Sequence, residues 1–202
     1  GNAPGGTVPS YGTNASIVAA FVNGAATIPI TLYKAETVSL DVSDGTLDSA
    51  ASAAYDADLT VGSASWNHFT VTSATATPAA GTAFNVTLTA KDTYENTAAG
   101  YSAAAKTFTL SGPGNAPGGT VPSYGTNASI VAAFVNGAAT IPVILYNRET
   151  VSLDVSDGTL NSAGNAAYDA DLIVAPAPAT KLIYTQQPSA LGVALVALPV
   201  QP

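Results

Sequence analysis

Carboxylates are the residues of this chain best suited to chemistry, and they recur in two groups. Calcium takes about six to eight oxygen ligands, and carboxylates at a junction between folded units would supply several of them. Neither group has the spacing of an EF-hand loop, and solvated strand and turn residues would give the same composition. A calcium site and a soluble acidic surface are therefore both open interpretations. The first group is Asp41, Asp44, Asp48, Asp56 and Asp58, and the second is Asp154, Asp157, Asp169 and Asp171.

Residue types that catalyse reactions are scarce. The chain has no cysteine and one histidine, His68, so a triad or a multi-histidine metal site would need residues from a partner chain. Asp169 and Asp171 share one face of an expected strand, but no pocket readable from the sequence makes them a glycosidase pair. Trp66 and His68 open a repeat unit, where packing between units is the simpler role. With no Gly-rich phosphate loop or nucleophile elbow, we expect no enzyme activity and no cofactor apart from calcium.

A Gly/Pro-rich stretch, residues 112–127, lacks a strand pattern and is longer than most loops in compact domains. Such loops often carry function, and Tyr124 and Asn127 would offer contacts to a sugar or a neighbouring protein. The alternative is an insertion tolerated between two strands. Asn14, Asn85 and Asn127 each begin a glycosylation sequon, a three-residue pattern that also arises often by chance.

Composition narrows the class of protein. The 202 residues carry a formal net charge of −8, with 13 Asp and Glu against 5 Lys and Arg. Nucleic acids and anionic membrane surfaces bind basic faces, so the charge argues against both partners. Apolar residues make up 47% of the chain, which is enough to build a core. The apolar run at residues 191–200 is about half the length of a membrane-spanning helix, so we expect no span.

The sequence repeats itself with an offset of 113 residues. Residues 1–29 recur letter for letter at 114–142, and the match continues through residues 61 and 174 with eight substitutions. We call residues 1–61 the first copy and residues 114–174 the second copy. Residues 62–174 form one complete unit of the repeat. The first copy then corresponds to the C-terminal part of a preceding unit, and residues 175–202 to the first strands of a following unit.

Within the complete unit, apolar and polar residues alternate with a period of two. Phe84, Val86, Leu88 and Ala90, for example, alternate with polar residues over 85–91, and the stretches at 69–72, 107–111 and 150–155 behave in the same way. This pattern is typical of strands with one face on a core and the other in water. Asn136-Gly137 between two such stretches indicates a type I′ turn. About seven strands in about 110 residues predict an all-β chain built of antiparallel sandwiches of immunoglobulin type.

The segment from Phe84 through Lys91-Asp92-Thr93-Tyr94-Glu95-Asn96 resembles the second strand and following Asp-x-Tyr-Gly-Asn turn of tandem bacterial immunoglobulin-like repeats, the invasin-like and filamin-like modules. Glu95 stands where glycine is usual. Residues 180–190, Thr-Lys-Leu-Ile-Tyr-Thr-Gln-Gln-Pro-Ser-Ala, resemble the first strand of the same modules. The resemblance covers nearly the whole chain. It implies tandem immunoglobulin-like sandwiches in a stalk, an adhesin or a cell-surface layer.

We therefore expect a structural segment of an extracellular or cell-surface stalk, fibre, filament or surface layer. An incomplete sandwich exposes unpaired strand edges. Residues 175–202 of one chain would supply strands to the first copy of the next, so the expected partners are further copies of the chain, joined head to tail. The alternative function is a carbohydrate- or surface-binding adhesin module, with glycans or cell-surface components as partners.

Overall fold

The computed structural model describes residues 1–12, 17–102, 106–125 and 129–183. Over these ranges the protein is all-β, with twelve strands, antiparallel pairing between them and no helix, which confirms the all-β, antiparallel part of the expectation. The strands are β1 (Ser10–Tyr11), β2 (Ile30–Thr31), β3 (Glu36–Leu40), β4 (Ala57–Val61), β5 (Trp66–Ser73), β6 (Ala83–Asp92), β7 (Lys106–Ser111), β8 (Ser123–Tyr124), β9 (Ser129–Ala132), β10 (Ala138–Ile144), β11 (Thr150–Ser156) and β12 (Ala170–Ile173).

Two four-stranded sheets build the part of the chain between residues 66 and 173. One has the strand order β5-β6-β10-β8 and the other the order β12-β11-β7-β9. Both sheets contribute side chains to a single buried cluster, as in a β-sandwich; Phe69 and Leu88 come from the first sheet and Phe108, Leu153 and Leu172 from the second. Eight strands therefore occupy this part of the described chain, where the sequence predicted about seven.

The period-two pattern explains which side chains enter this cluster. Along β6, Val86, Leu88 and Ala90 are buried, while the residues between them are more exposed. β7 repeats this with Phe108 and Leu110. Each strand turns one apolar row inward because successive side chains point to opposite faces of a sheet.

The turn at Asn136-Gly137 has the expected local chemistry but joins strands of different sheets. Both residues have positive φ, 51° and 79°, as a type I′ turn requires. However, β9 before the turn pairs with β7, whereas β10 after it pairs with β6. The turn therefore carries the chain from one sheet across the core to the other.

Within its described residues, 1–12 and 17–61, the first copy forms two-stranded sheets, β1-β2 and β3-β4. Its pairings reproduce those of the second copy: Tyr11 lies opposite Ile30 as Tyr124 lies opposite Val143, and β3 pairs with β4 in the register of β11 with β12. The two copies differ in the further strands with which these strands pair. β10 and β11 also pair with β6 and β7, which belong to residues 62–113, hereafter the front segment.

Candidate functional site

The first copy and the complete unit meet at a hydrogen-bonded contact, which we call the turn joint. It consists of the turn at residues 92–96 and residues 33–36 of the first copy. The side-chain amide of Asn96 holds both parts: its Oδ1 accepts from Ala35 N at 2.9 Å, and its Nδ2 donates to Tyr33 O at 2.7 Å. Asn96 is buried, so these bonds form away from water. The amide thus pairs with the backbone of the first copy as a neighbouring peptide unit would.

Asp92 organises the other side of the turn joint. Its Oδ1 accepts from the backbone amides of Tyr94 at 2.8 Å and Asn96 at 3.0 Å. Its Oδ2 accepts from the Asn96 side chain at 3.0 Å and from Ala64 N at 2.8 Å. Burial raises the pKa of Asp92, but these hydrogen bonds to the carboxylate outweigh it and lower the pKa below its ordinary value. Through Ala64, the same carboxylate fixes the segment that connects the first copy to β5.

Backbone and ring contacts close the turn joint further. Gly5 N donates to Tyr94 O at 3.0 Å, and the rings of Tyr33 and Tyr94 lie 4.8 Å apart between centroids. A Cβ atom at Gly5 would meet Tyr94 O at 3.2 Å, so glycine permits this approach. Glu36 is bound by the terminal amine of Gly1 and by Lys34 Nζ at 2.6 Å.

Glu95 connects the turn to the second copy. Its backbone has φ 66°, which explains why glycine is usual at this position of the turn. The Glu95 side chain accepts a hydrogen bond from Tyr168 Oη at 2.9 Å and lies 3.4 Å from His68 Nε2. His68 is buried and stacks on Tyr168 with ring centroids 3.9 Å apart. His68 therefore packs inside the complete unit, against Tyr168 and Glu95, and not between units as the sequence suggested.

The first copy exposes apolar side chains whose counterparts in the second copy are buried or partly buried. We call this exposed surface the open face. Phe21 is 73% exposed, but its counterpart Phe134 is 4% exposed. Val42 is 63% exposed, whereas Val155 is 1% exposed. The open face comprises Phe21, Ile30, Val42, Leu47 and Leu59, and a groove of about 280 Å³ runs along it beside Asp44 and Tyr55.

Asp157 shows what the front segment adds to the second copy. Its Oδ2 accepts a hydrogen bond from Tyr101 Oη at 2.8 Å and pairs with Lys106. Burial raises the pKa of Asp157, but the bonds from Lys106, the Leu160 and Thr159 amides and Tyr101 prevail and lower it to about 2. In the first copy, Asp44 accepts only from the equivalent backbone amides, those of Leu47 and Thr46, among the described residues.

Three of the carboxylates considered for calcium accept hydrogen bonds from side chains of the protein. Asp157 binds Tyr101 and Lys106. Asp154 accepts a hydrogen bond from the Ser162 hydroxyl at 3.0 Å, and the exposed Asp171 accepts one from the Ser152 hydroxyl at 2.5 Å. Burial, together with the charges of Asp171 and Asp154, raises the pKa of Asp169. In residues 1–12, 17–102, 106–125 and 129–183, no three or more His, Asp or Glu side chains are grouped to hold a metal. Calcium binding by these residues stays a prediction.

The loop and sequon residues have different surroundings. Tyr124 belongs to β8 and is buried, and burial followed by the charge of Glu149 raises its pKa to about 12. Its ring therefore has little surface left for a ligand from solution. Asn85 is exposed on β6, while Asn14 and Asn127 lie outside the described residues.

The residues of the turn joint were not identified as a site from the sequence. The turn was recognised through its family-like pattern, but Asn96 and its partner Ala35 are 61 residues apart. The usable signal was the combination of Asp92 and Asn96 at the ends of one turn, because both side chains readily replace backbone partners.

Comparisons with known proteins give structural neighbours but no family. Neither a protein-family model nor a curated protein matches the chain. Among solved structures, the Escherichia coli adhesin FdeC aligns over 88% of this chain and 51% of that chain, with 21% sequence identity and a TM-score of 0.40. Domains 4 and 5 of the S-layer protein SbsC align over 73% of this chain and 62% of that one, with 15% identity and a TM-score of 0.32. The chain thus spans about half the length of the FdeC chain.

Across the described ranges, no helix has the length and apolar character needed to cross a bilayer.

Proposed function

We propose that the chain is a structural segment of an extracellular stalk, fibre, filament or surface layer, built of immunoglobulin-like sandwiches joined end to end and without catalytic activity. The observation that carries this proposal is the turn joint. A spacer needs units that keep a fixed relation to each other, and a buried, hydrogen-bonded contact supplies that better than a flexible linker.

The joint supports stiffness because it acts at several points. Asn96 binds the first copy, Asp92 binds the connecting residue Ala64, and Gly5 binds Tyr94. Bending at the connection would break the bonds of Asn96 to Ala35 and Tyr33 and the bond of Asp92 to Ala64, and each such bond contributes about 0.5–1.5 kcal/mol.

Composition supports a surface role of this kind. The net charge of −8 and the five basic residues limit nonspecific binding to acidic polymers and membranes. The absence of cysteine is compatible with an oxidising exterior. Strand donation by residues 175–202 to the first copy of the next chain would extend the assembly. It remains a prediction, since only 175–183 of that segment lie among the described residues.

Distance measurements between two spin labels test the proposal. Because the chain has no cysteine, Thr46→Cys and Thr159→Cys would place labels at equivalent exposed positions of the two copies. Double electron–electron resonance should give one narrow distance distribution, since the turn joint fixes the copies. Adding Asn96→Ala should broaden it, because the change removes three hydrogen bonds and costs about 1–3 kcal/mol.

The control variant is Asn85→Ala, which changes an exposed asparagine of β6 and should leave the distribution narrow. A parent chain whose distribution is already as broad as that of the Asn96→Ala variant has no stiff joint, and the spacer function would then be lost. Saturable binding of the parent chain to a glycan array would instead favour the adhesin alternative.

A further inference from the structure

The counterpart of the open face in the second copy is packed against the front segment, and the side chains Phe21, Val42, Leu47 and Leu59 are identical in the two copies. Around Phe134 the front segment places Tyr101 and Phe108, each with a ring centroid 5.0 Å away, and Phe69 at 5.8 Å. Phe21 has the same sequence neighbours as Phe134 but is largely exposed. The groove beside Phe21 is therefore the empty counterpart of a pocket filled by aromatic side chains.

Backbone pairing at the open face is also incomplete. In the second copy β11 extends through Ser156 because β7 pairs with it at Asp154, Val155 and Ser156. In the first copy the equivalent strand β3 ends at Leu40. Residues 41–43 thus present a strand edge of the kind that accepts an added strand.

A carboxylate in the groove indicates which polar groups an occupant would bring. Asp157 in the second copy binds the Tyr101 hydroxyl and Lys106, both from the front segment. Its counterpart Asp44 lies in the groove of the open face. An occupant that matches the groove therefore brings aromatic side chains, a lysine and a free strand edge, which is the chemistry of residues 101–111.

We propose that the open face is a docking surface for an additional copy of the front segment, a polypeptide with the sequence character of residues 62–113. Docking would add strands of the β5, β6 and β7 type to the first copy and bury Phe21 and Val42 as Phe134 and Val155 are buried.

A prefixed chain tests this proposal. Residues 62–113 are added directly before Gly1 of the full chain, and the rate of thiol labelling is measured for Val42→Cys in the chains with and without the prefix. Docking should slow labelling at least about 100-fold, as expected for a side chain reached only by local opening. Val22→Cys is the matched control, since Val22 and its counterpart Val135 are both 69% exposed, and its labelling rate should not change.

A second prefix identifies the contacts responsible. When the added copy carries Tyr101→Ala and Lys106→Ala, the protection of the Val42→Cys thiol should fall to under about 10-fold, because both groups that bind the groove carboxylate are gone. Equal labelling of Val42→Cys with and without the unmodified prefix would overturn the proposal. So would full protection by the doubly substituted prefix, because the groove would then not recognise these side chains.

Discussion

Phe21 and Phe134 occupy the same position in the two copies, so replacing each by alanine measures how much the front segment contributes to the free energy of unfolding. Phe134→Ala removes a buried ring with three aromatic neighbours, and such core changes cost about 3–5 kcal/mol. Phe21→Ala removes the same ring where 73% of it is exposed. Burying a large apolar side chain completely contributes about 1.5–3 kcal/mol to stability. Because only about a quarter of Phe21 is covered, Phe21→Ala should lower the free energy of unfolding by less than about 1 kcal/mol.

Urea unfolding followed by tryptophan fluorescence and circular dichroism measures both losses. The single tryptophan, Trp66, contacts Tyr101 edge-on at 5.5 Å and so reports on the complete unit. With a urea dependence of about 2 kcal/mol per molar, Phe134→Ala should lower the midpoint by roughly 2 M and Phe21→Ala by less than about 0.5 M.

Val22→Ala and Val135→Ala are the matched pair for this experiment, because both valines are equally exposed and should give equal, small shifts. A Phe21→Ala loss as large as that of Phe134→Ala would refute the assignment of an open face. A Phe134→Ala loss below about 1 kcal/mol would refute the assignment of the aromatic core.

Two further perturbations address the acidic anchor and a close backbone approach. Because the pKa of Asp157 is lowered from 3.8 to about 2, its stabilisation is present above the ordinary value and is lost as pH falls toward 2. Asp157→Asn should therefore flatten the acid dependence of unfolding between pH 4 and 2 by at most roughly 2 kcal/mol, and an unchanged slope would contradict this. Gly137→Ala places a Cβ 2.6 Å from Ala98 O, whereas its counterpart Gly24 has no described atom within 4 Å. Both have φ near +80°, so Gly137→Ala should lower the thermal midpoint by about 4–8 °C more than Gly24→Ala, and equal shifts would exclude the clash.

The strands could be predicted because their signal is local. Alternation in β6 and β7 identified the buried rows, and Asn136-Gly137 identified the positive-φ turn. The sheet that each strand joins depends on partners far away in the sequence, so the transfer from β9 to β10 across the core was not predicted. A local turn fixes chain direction but not the layer into which the next strand packs.

Candidate sites were harder to predict for the same reason. Tyr124 lies in a Gly/Pro-rich stretch whose composition suggests exposure, yet pairing of β8 with β10 turns its ring into the core. Asn96 gained its role from residues of the first copy, 61 residues away in the sequence, which composition and spacing do not reveal. The repeat, by contrast, is visible directly in the sequence, since residues 1–29 recur letter for letter at 114–142.

The turn joint relates two stretches of nearly the same sequence by one rotation combined with one translation. Any such operation, applied again and again, generates a screw axis. A succession of identical joints would therefore wind the sandwiches into a superhelix whose pitch and handedness follow from the hydrogen bonds of Asn96 and Asp92. A substitution that tilts this contact by a few degrees would leave each sandwich intact and still change the path of the whole array, because the small errors add at every step.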